Sequence, residues 1–127
     1  MMTDSGATAL MFAAQFGQLK MVRYLIHEGA DIDHIDQNGR TPLILASSNG
    51  HTDVVKCLMQ KGANIHHKDD NHKNASFYAT NYGHFDTARY IARNCSDILK
   101  NNPTEAVLFC ALIYALKKVI EHLLTQY

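Results

Sequence analysis

Hydrophobic residues recur along the chain in short runs at helical spacing, separated by polar stretches rich in Gly, Asn, Asp and His. The clearest run, 43–46, follows Thr41-Pro42 and precedes Gly50. A threonine hydroxyl can accept from the free N–H groups that begin a helix, and proline suits the first helical position. Glycine readily adopts the left-handed conformation that ends a helix. This pattern therefore predicts a short helix between Thr41 and Gly50.

A second helix is predicted from about Thr52 to Lys61, with Gly62 ending it. Its apolar positions have helical spacing, and they are Val54, Val55, Leu58 and Met59. The stretch 63–72 that follows is polar, and its Asn, Asp and His residues favour turns. One unit of the chain thus consists of two short helices and a loop.

The unit recurs every 33 residues. The matching positions include Gly17, Gly50 and Gly83; Ala13, Ala46 and Ala79; and Leu25, Leu58 and Ile91. A fourth copy aligns if one residue is deleted, and we expect a single domain, 1–127, with repeats at about 4–36, 37–69, 70–101 and 102–127. One helix pair cannot bury its own apolar side, so we expect stacked pairs with the small alanines in the shared core.

The units resemble ankyrin repeats. The second unit carries this resemblance through Asp36, Gly39, Thr41-Pro42-Leu43, Ala46, Gly50-His51, Val54-Val55, Leu58 and Gly62-Ala63-Asn64. The first unit carries it through Gly6, Thr8, Leu10, Ala13-Ala14, Gly17, Val22, Leu25 and Gly29-Ala30-Asp31-Ile32. The resemblance implies an all-α solenoid of stacked helix–turn–helix units with projecting loops. It also implies a structural role for His51 and His84, which match the family's Gly-His.

The third unit departs from this pattern. Asn74 begins the triplet that replaces Thr-Pro-Leu, and Ser76 takes the place of a core leucine, a loss of about 2–4 kcal/mol of local burial. His72 and Cys95 stand where the other units have glycine, and Asn94 could supply the left-handed cap instead. We predict that the third unit is the least regular and locally the weakest.

Composition favours a folded intracellular protein. Hydrophobic residues make up 46% of the chain. Twelve Lys and Arg balance twelve Asp and Glu, so the chain lacks the basic excess that is typical of proteins that bind nucleic acids or membranes. The longest apolar run, Ala106 to Leu116, is too short to span a bilayer. The N-terminus lacks the pattern of a signal peptide. Three cysteines, an odd and low count, are expected to be reduced, and we expect the cytoplasm or nucleus.

Catalytic and metal-binding patterns are weak. The chain contains no GxSxG, Walker-type phosphate loop or HExxH, so we expect no enzyme and no cofactor. Only His67 and His72, across one loop, could meet on a metal ion, and we expect no metal site. The resemblance implies a hydroxylation position where Asp33 and His66 stand, although the expected asparagine is missing at both.

The resemblance places partner binding at the loop tips and on the exposed side of the first helices. Carried over by position, it gives the candidate protein-binding residues Phe16, Ile35, Asn38, Arg40, Ser48, Asn49, Lys68, Asn71, Lys73, Asn81 and Tyr82. Aromatic residues and arginine are common interface anchors, although Phe16 and Tyr82 could merely cover the core. We expect a non-enzymatic scaffold that presents a concave groove to a protein or peptide.

The last unit is apolar on all sides of its first predicted helix, 106–116. A terminal repeat needs a polar outer face. Three interpretations remain: further repeats follow, another copy or partner packs here, or a short helix is wedged between the third unit and a helix at Lys117–Tyr127. The alternative function is therefore a structural or assembly segment of a larger protein that self-associates or docks through this repeat.

Overall fold

The computed structural model describes residues 7–99 and 105–126, which form seven helices and no strand. These are α1 Ala9–Gln15, α2 Leu19–His27, α3 Pro42–Ser48, α4 Thr52–Gln60, α5 Ala75–Asn81, α6 Phe85–Leu99 and α7 Glu105–Gln126. The first six form three successive helix pairs, α1–α2, α3–α4 and α5–α6. The predicted all-α architecture of helix–turn–helix units is confirmed.

Helix α3 begins and ends where its sequence predicts. Thr41 has an extended backbone, and its side chain accepts a hydrogen bond of 3.2 Å from the Ile44 N–H. Pro42 occupies the first helical turn. Beyond the helix, Gly50 has a φ of +73°, the left-handed conformation that allows the chain to turn into α4.

The other first helices have the same kind of cap. The Thr8 hydroxyl accepts from the Met11 N–H at 3.2 Å, and the Asn74 side chain accepts from the Phe77 N–H at 2.9 Å. Asparagine therefore replaces threonine in the third unit without loss of the cap. As a result, α5 has seven residues, like α1 and α3.

The helices stack in two layers that share one core. Helix α3 packs between α1 and α5, and α4 packs between α2 and α6. The repeated alanines Ala13, Ala46 and Ala79 are almost fully buried, which allows the first helices to approach closely. The second helices add apolar side chains to the same continuous core, and these are Val22, Val54, Val55, Leu58 and Ile91.

Two histidines link successive units. The Nε2–H of His51 donates to the Gln15 carbonyl at 2.9 Å, and the Nε2–H of His84 donates to the Ser48 carbonyl at 3.0 Å. Because a carbonyl oxygen only accepts, each ring carries its proton on Nε2. The structural role predicted for these histidines is confirmed: each satisfies a carbonyl at the end of the preceding unit's first helix.

The third unit differs at its C-terminal end. Helix α6 has fifteen residues, whereas α2 and α4 have nine each. It continues through Cys95, where the other units have a helix-ending glycine. Asn94 lies inside α6, with its Nδ2–H donating to the Tyr90 carbonyl at 2.9 Å, so the prediction that it supplies a left-handed cap is wrong. His72 does take the left-handed conformation of the glycine it replaces, with a φ of +62°.

The structure describes the side chain of one of the three cysteines. Cys57 is buried on α4 with a free thiol. The side chains of Cys95 and Cys110 lie outside the described residues.

Helix α7 is one continuous helix of 22 residues that packs against α5 and α6. The sequence instead predicts a helix pair in 102–127, and the predicted turn within that unit is wrong. The side chains of 106–111 lie outside the described residues. Within the described part of the chain, no helix combines the length and apolar character needed to cross a membrane.

Candidate protein-binding groove

The loop between α2 and α3 is held in shape by the Asp36 carboxylate, whose side chain is only 5% exposed. Its Oδ1 accepts from the backbone N–H groups of Asn38 and Arg40, each at 2.9 Å. Its Oδ2 accepts from Arg40 Nε at 3.0 Å. Aspartate favours such turns because its short side chain reaches the backbone just ahead of it. These bonds fix the positions of Asn38 and Arg40.

Asp69 holds the loop between α4 and α5 in the same way. Its Oδ1 accepts from the N–H groups of Asn71 at 2.9 Å and Lys73 at 3.0 Å, and its Oδ2 accepts from the Tyr78 hydroxyl. Burial acts to raise the pKa of Asp69, but the hydrogen bond from Tyr78 and those from the backbone outweigh it and lower the pKa below the ordinary value of 3.8. Burial and the bond to Asp69 raise the pKa of Tyr78. Asp69 is therefore an anion at neutral pH.

The two loops are also joined to each other. The Asp70 N–H donates to the Asn38 carbonyl at 3.0 Å, and the His67 Nε2–H donates to the Gly39 carbonyl at 2.8 Å. These bonds cross between successive units, so the loops form one continuous wall beside the first helices.

The loop residues considered above for hydroxylation or for metal binding make contacts within and between the loops. Asp33 Oδ1 accepts from the Asn64 N–H at 3.0 Å, and the His66 N–H donates to the Asn64 side chain at 3.0 Å. Neither contact tests hydroxylation of Asp33 or His66. His67 donates to a carbonyl, while His72 is exposed. Among the described residues, no group of three or more His, Cys, Asp or Glu is placed to hold a metal ion.

A groove of about 600 Å³ lies between the loops and the first helices. Its lining consists of Gln15, Asn38, Arg40, Leu45, Ser48, Asn49, Asp69, Asn71, Tyr78, Tyr82 and His84. The rings of Tyr78 and Tyr82 are stacked, with centroids 6.1 Å apart and planes 12° apart. The groove therefore combines side-chain amides, a guanidinium group and an aromatic surface.

The structure brings six of the eleven predicted site residues together in this lining: Asn38, Arg40, Ser48, Asn49, Asn71 and Tyr82. The other five predicted residues, Phe16, Ile35, Lys68, Lys73 and Asn81, do not belong to it. Phe16 is 64% exposed, and the Lys73 ammonium group lies 4.5 Å from the centre of the Phe77 ring. Six predicted residues thus share one groove and five lie outside it, and their role in binding stays a prediction.

Five lining residues are missing from the predicted set: Gln15, Leu45, Asp69, Tyr78 and His84. The 33-residue period contains a signal for one of them, because Gln15 is equivalent to the predicted Ser48. Leu45 and Tyr78 are equivalent to each other, and neither is in the predicted set. Leucine and tyrosine at those helical positions suggest core packing, which hides their place in the groove.

The comparison with known protein families agrees with the fold of stacked helix pairs. A family model for ankyrin repeats, in three copies, matches residues 1–69, which include the helix pairs α1–α2 and α3–α4. The chain belongs to the ankyrin-repeat family. No curated protein matches the chain. Ankyrin repeats generally mediate protein–protein interaction, and the family is typically non-enzymatic.

Proposed function

We propose that this ankyrin-repeat chain is a non-enzymatic scaffold that binds a protein or peptide segment in the groove. The observation that carries the proposal is that side chains from two loops and three first helices line one groove of about 600 Å³.

The chemistry of the lining suits an extended peptide. Each side-chain amide of Gln15, Asn38, Asn49 and Asn71 offers both a donor and an acceptor, as does each peptide group of an extended chain. The stacked tyrosines provide an amphipathic surface that loses little conformational entropy on binding. The guanidinium of Arg40 has five N–H donors, and one of them, the Nε–H, donates to Asp36.

The wall of the groove is organised before any partner binds. Asp36 and Asp69 fix the loop tips through bonds to the backbone, and the Asp70–Asn38 and His67–Gly39 bonds join the loops. Groups that are already ordered cost less entropy on binding, which supports affinity for a segment that is itself flexible.

Selection of peptides from a random library against the wild-type chain tests the proposal. We expect the Arg40→Ala/Tyr82→Ala variant to bind the selected peptides at least ~10-fold more weakly, because arginine and tyrosine are frequent hot spots. Arg23→Ala/Lys61→Ala is the matched control, since these exposed residues lie at the opposite layer, between α2 and α4. Equal binding by the groove variant, with its helical circular dichroism spectrum unchanged, would refute the proposal.

The alternative function is a structural or assembly segment that self-associates through its C-terminal repeat. One observation favours it: large apolar side chains are exposed along α7. The two functions use different surfaces, so one chain can have both, and substitutions in the groove and on α7 test them separately.

A further inference from the structure

Helix α7 exposes a continuous apolar stripe. Six large side chains, between 50% and 73% exposed, form it: Leu112, Leu116, Val119, Ile120, Leu123 and Leu124. At about 100° per residue, they lie within an arc of about 140° on one face of the helix.

The face of α7 that contacts the stack adjoins the stripe. Tyr114, Lys117 and Glu121 are half-buried on this face. Lys117 donates to the Thr80 carbonyl, and its ammonium group lies 4.9 Å from the centre of the Phe85 ring. A surface helix normally turns its apolar side to the core. Among the side chains of α7 that the structure describes, polar ones contact the stack and the apolar stripe is exposed.

We propose that a second copy of this chain covers the stripe, with α7 of one copy packed against α7 of the other. Leu112, Leu116, Val119 and Leu123 are spaced by four, three and four residues, the spacing with which two helices interlock. The stripe contains no charged residue, and a symmetric pair requires a surface that complements itself. Any other partner must bring a matching apolar ridge of its own, which a second copy supplies by symmetry.

The area of the stripe fits a reversible dimer. A fully buried Val, Leu or Ile side chain removes roughly 60–120 Å² from water, so the six half-exposed side chains offer roughly 200–400 Å² in each copy. Across a pair this is roughly 400–800 Å² before neighbouring atoms are counted, which is below the roughly 1,200 Å² of standard interfaces and belongs to weak, transient ones. We therefore expect a weak dimer that dissociates on dilution.

Sedimentation velocity between roughly 1 and 200 µM tests the dimer, because a weak complex forms only toward the upper end of such a range. The wild type changes from monomer to dimer over this range, and Leu116→Lys/Leu123→Lys remains monomeric with an unchanged circular dichroism spectrum. Thr125→Lys is the matched control, because Thr125 is exposed on the same helix but outside the stripe, and it dimerises like the wild type. The groove variant Arg40→Ala/Tyr82→Ala also dimerises, which separates this proposal from the binding function.

Methyl NMR signals provide a second readout that needs no substitution. On dilution of the wild type, the methyl signals of the stripe shift, while those of core residues such as Val22 and Leu58 do not. A wild type that remains monomeric at the highest concentration, or a stripe variant that dimerises as well as the wild type, would overturn the proposal. A monomer that instead binds phosphatidylcholine vesicles through the stripe would also overturn it.

Discussion

Gly50 and Gly83 stand at the same place in successive units and have similar φ values of +73° and +80°. They differ in what lies beside them. A Cβ atom at Gly50 would be 2.4 Å from His84 Nδ1 and 2.7 Å from its Cγ, whereas a Cβ at Gly83 would meet no atom of the described residues within 4 Å. Comparing Gly50→Ala with Gly83→Ala therefore separates the cost of the backbone conformation from the cost of displacing a histidine that links two units.

The expected magnitudes follow from these contacts. A left-handed residue with a Cβ costs about 1–2 kcal/mol, and the lower entropy of the unfolded alanine chain returns about 0.4–1 kcal/mol, so Gly83→Ala should cost about 1 kcal/mol. In Gly50→Ala the His84 ring must move away, which breaks its 3.0 Å bond to the Ser48 carbonyl. Loss of that bond adds about 1–2 kcal/mol, for a total of about 2–3 kcal/mol.

Urea unfolding followed by circular dichroism gives both free energies of unfolding. The His84→Ala background completes a double-mutant cycle, in which removal of the ring should reduce the cost of Gly50→Ala to that of Gly83→Ala. Equal costs in the wild-type background would refute the reasoning. So would an excess cost at Gly50 that persists after His84 is removed.

Four further predictions concern stability. His72→Gly should raise the free energy of unfolding by about 0.5–1 kcal/mol in urea, because His72 has a φ of +62°; a loss of stability would contradict this. Tyr78→Phe should cost about 1.5 kcal/mol at pH 7. Because the folded-state pKa of Asp69 is lowered, the stabilisation exists above its ordinary value of 3.8 and is lost as pH falls through the folded value, so the cost should shrink in urea titrations at low pH; a cost independent of pH would exclude this coupling. Ser47→Ala should raise the free energy of unfolding by about 1 kcal/mol, because no described group bonds to the buried Ser47 hydroxyl; a melting temperature of the variant below that of the wild type would contradict this. Amide hydrogen exchange should be faster in α5 than in α3, because Ser76 is buried where a leucine packs in the second unit; equal protection would count against a weak third unit.

The fold of the second unit could be predicted closely from its sequence. Thr41-Pro42 and Gly50 bound α3, and the predicted helix from about Thr52 to Lys61 corresponds to α4, Thr52–Gln60. These signals are local, because a capping side chain and a residue free to take positive φ act within one or two turns of the helix.

Helices α6 and α7 could be predicted less closely from the sequence, because their lengths depend on the absence of capping and helix-ending residues. Without glycine at 95, helix α6 continues to Leu99, and the side chain of Asn94 bonds to its own helix. Helix α7 has no internal breaker, so the alignment with a helix pair fails. Alignment by period shows which positions are equivalent, but not whether the turn between them forms.

The 33-residue period predicts which loop positions of successive units come together, but not which side chains line the groove. Equivalent loop positions such as Asn38 and Asn71 do meet in one wall. The part played by Asp69 and Tyr78 depends on a contact between side chains nine residues apart in the chain, and no periodic pattern indicates such a contact. Lys73 has the position of Arg40 in its unit but lies over the Phe77 ring, outside the lining.

Chemical-shift mapping with a peptide selected on the wild-type chain tests the central claim most directly. Binding in the groove predicts that the largest shifts of backbone and side-chain amide signals fall on Asn38, Asn49, Asn71 and Tyr82, and that α2 and α4 change little. Shifts concentrated on α2 and α4, with the groove signals unchanged, would contradict it.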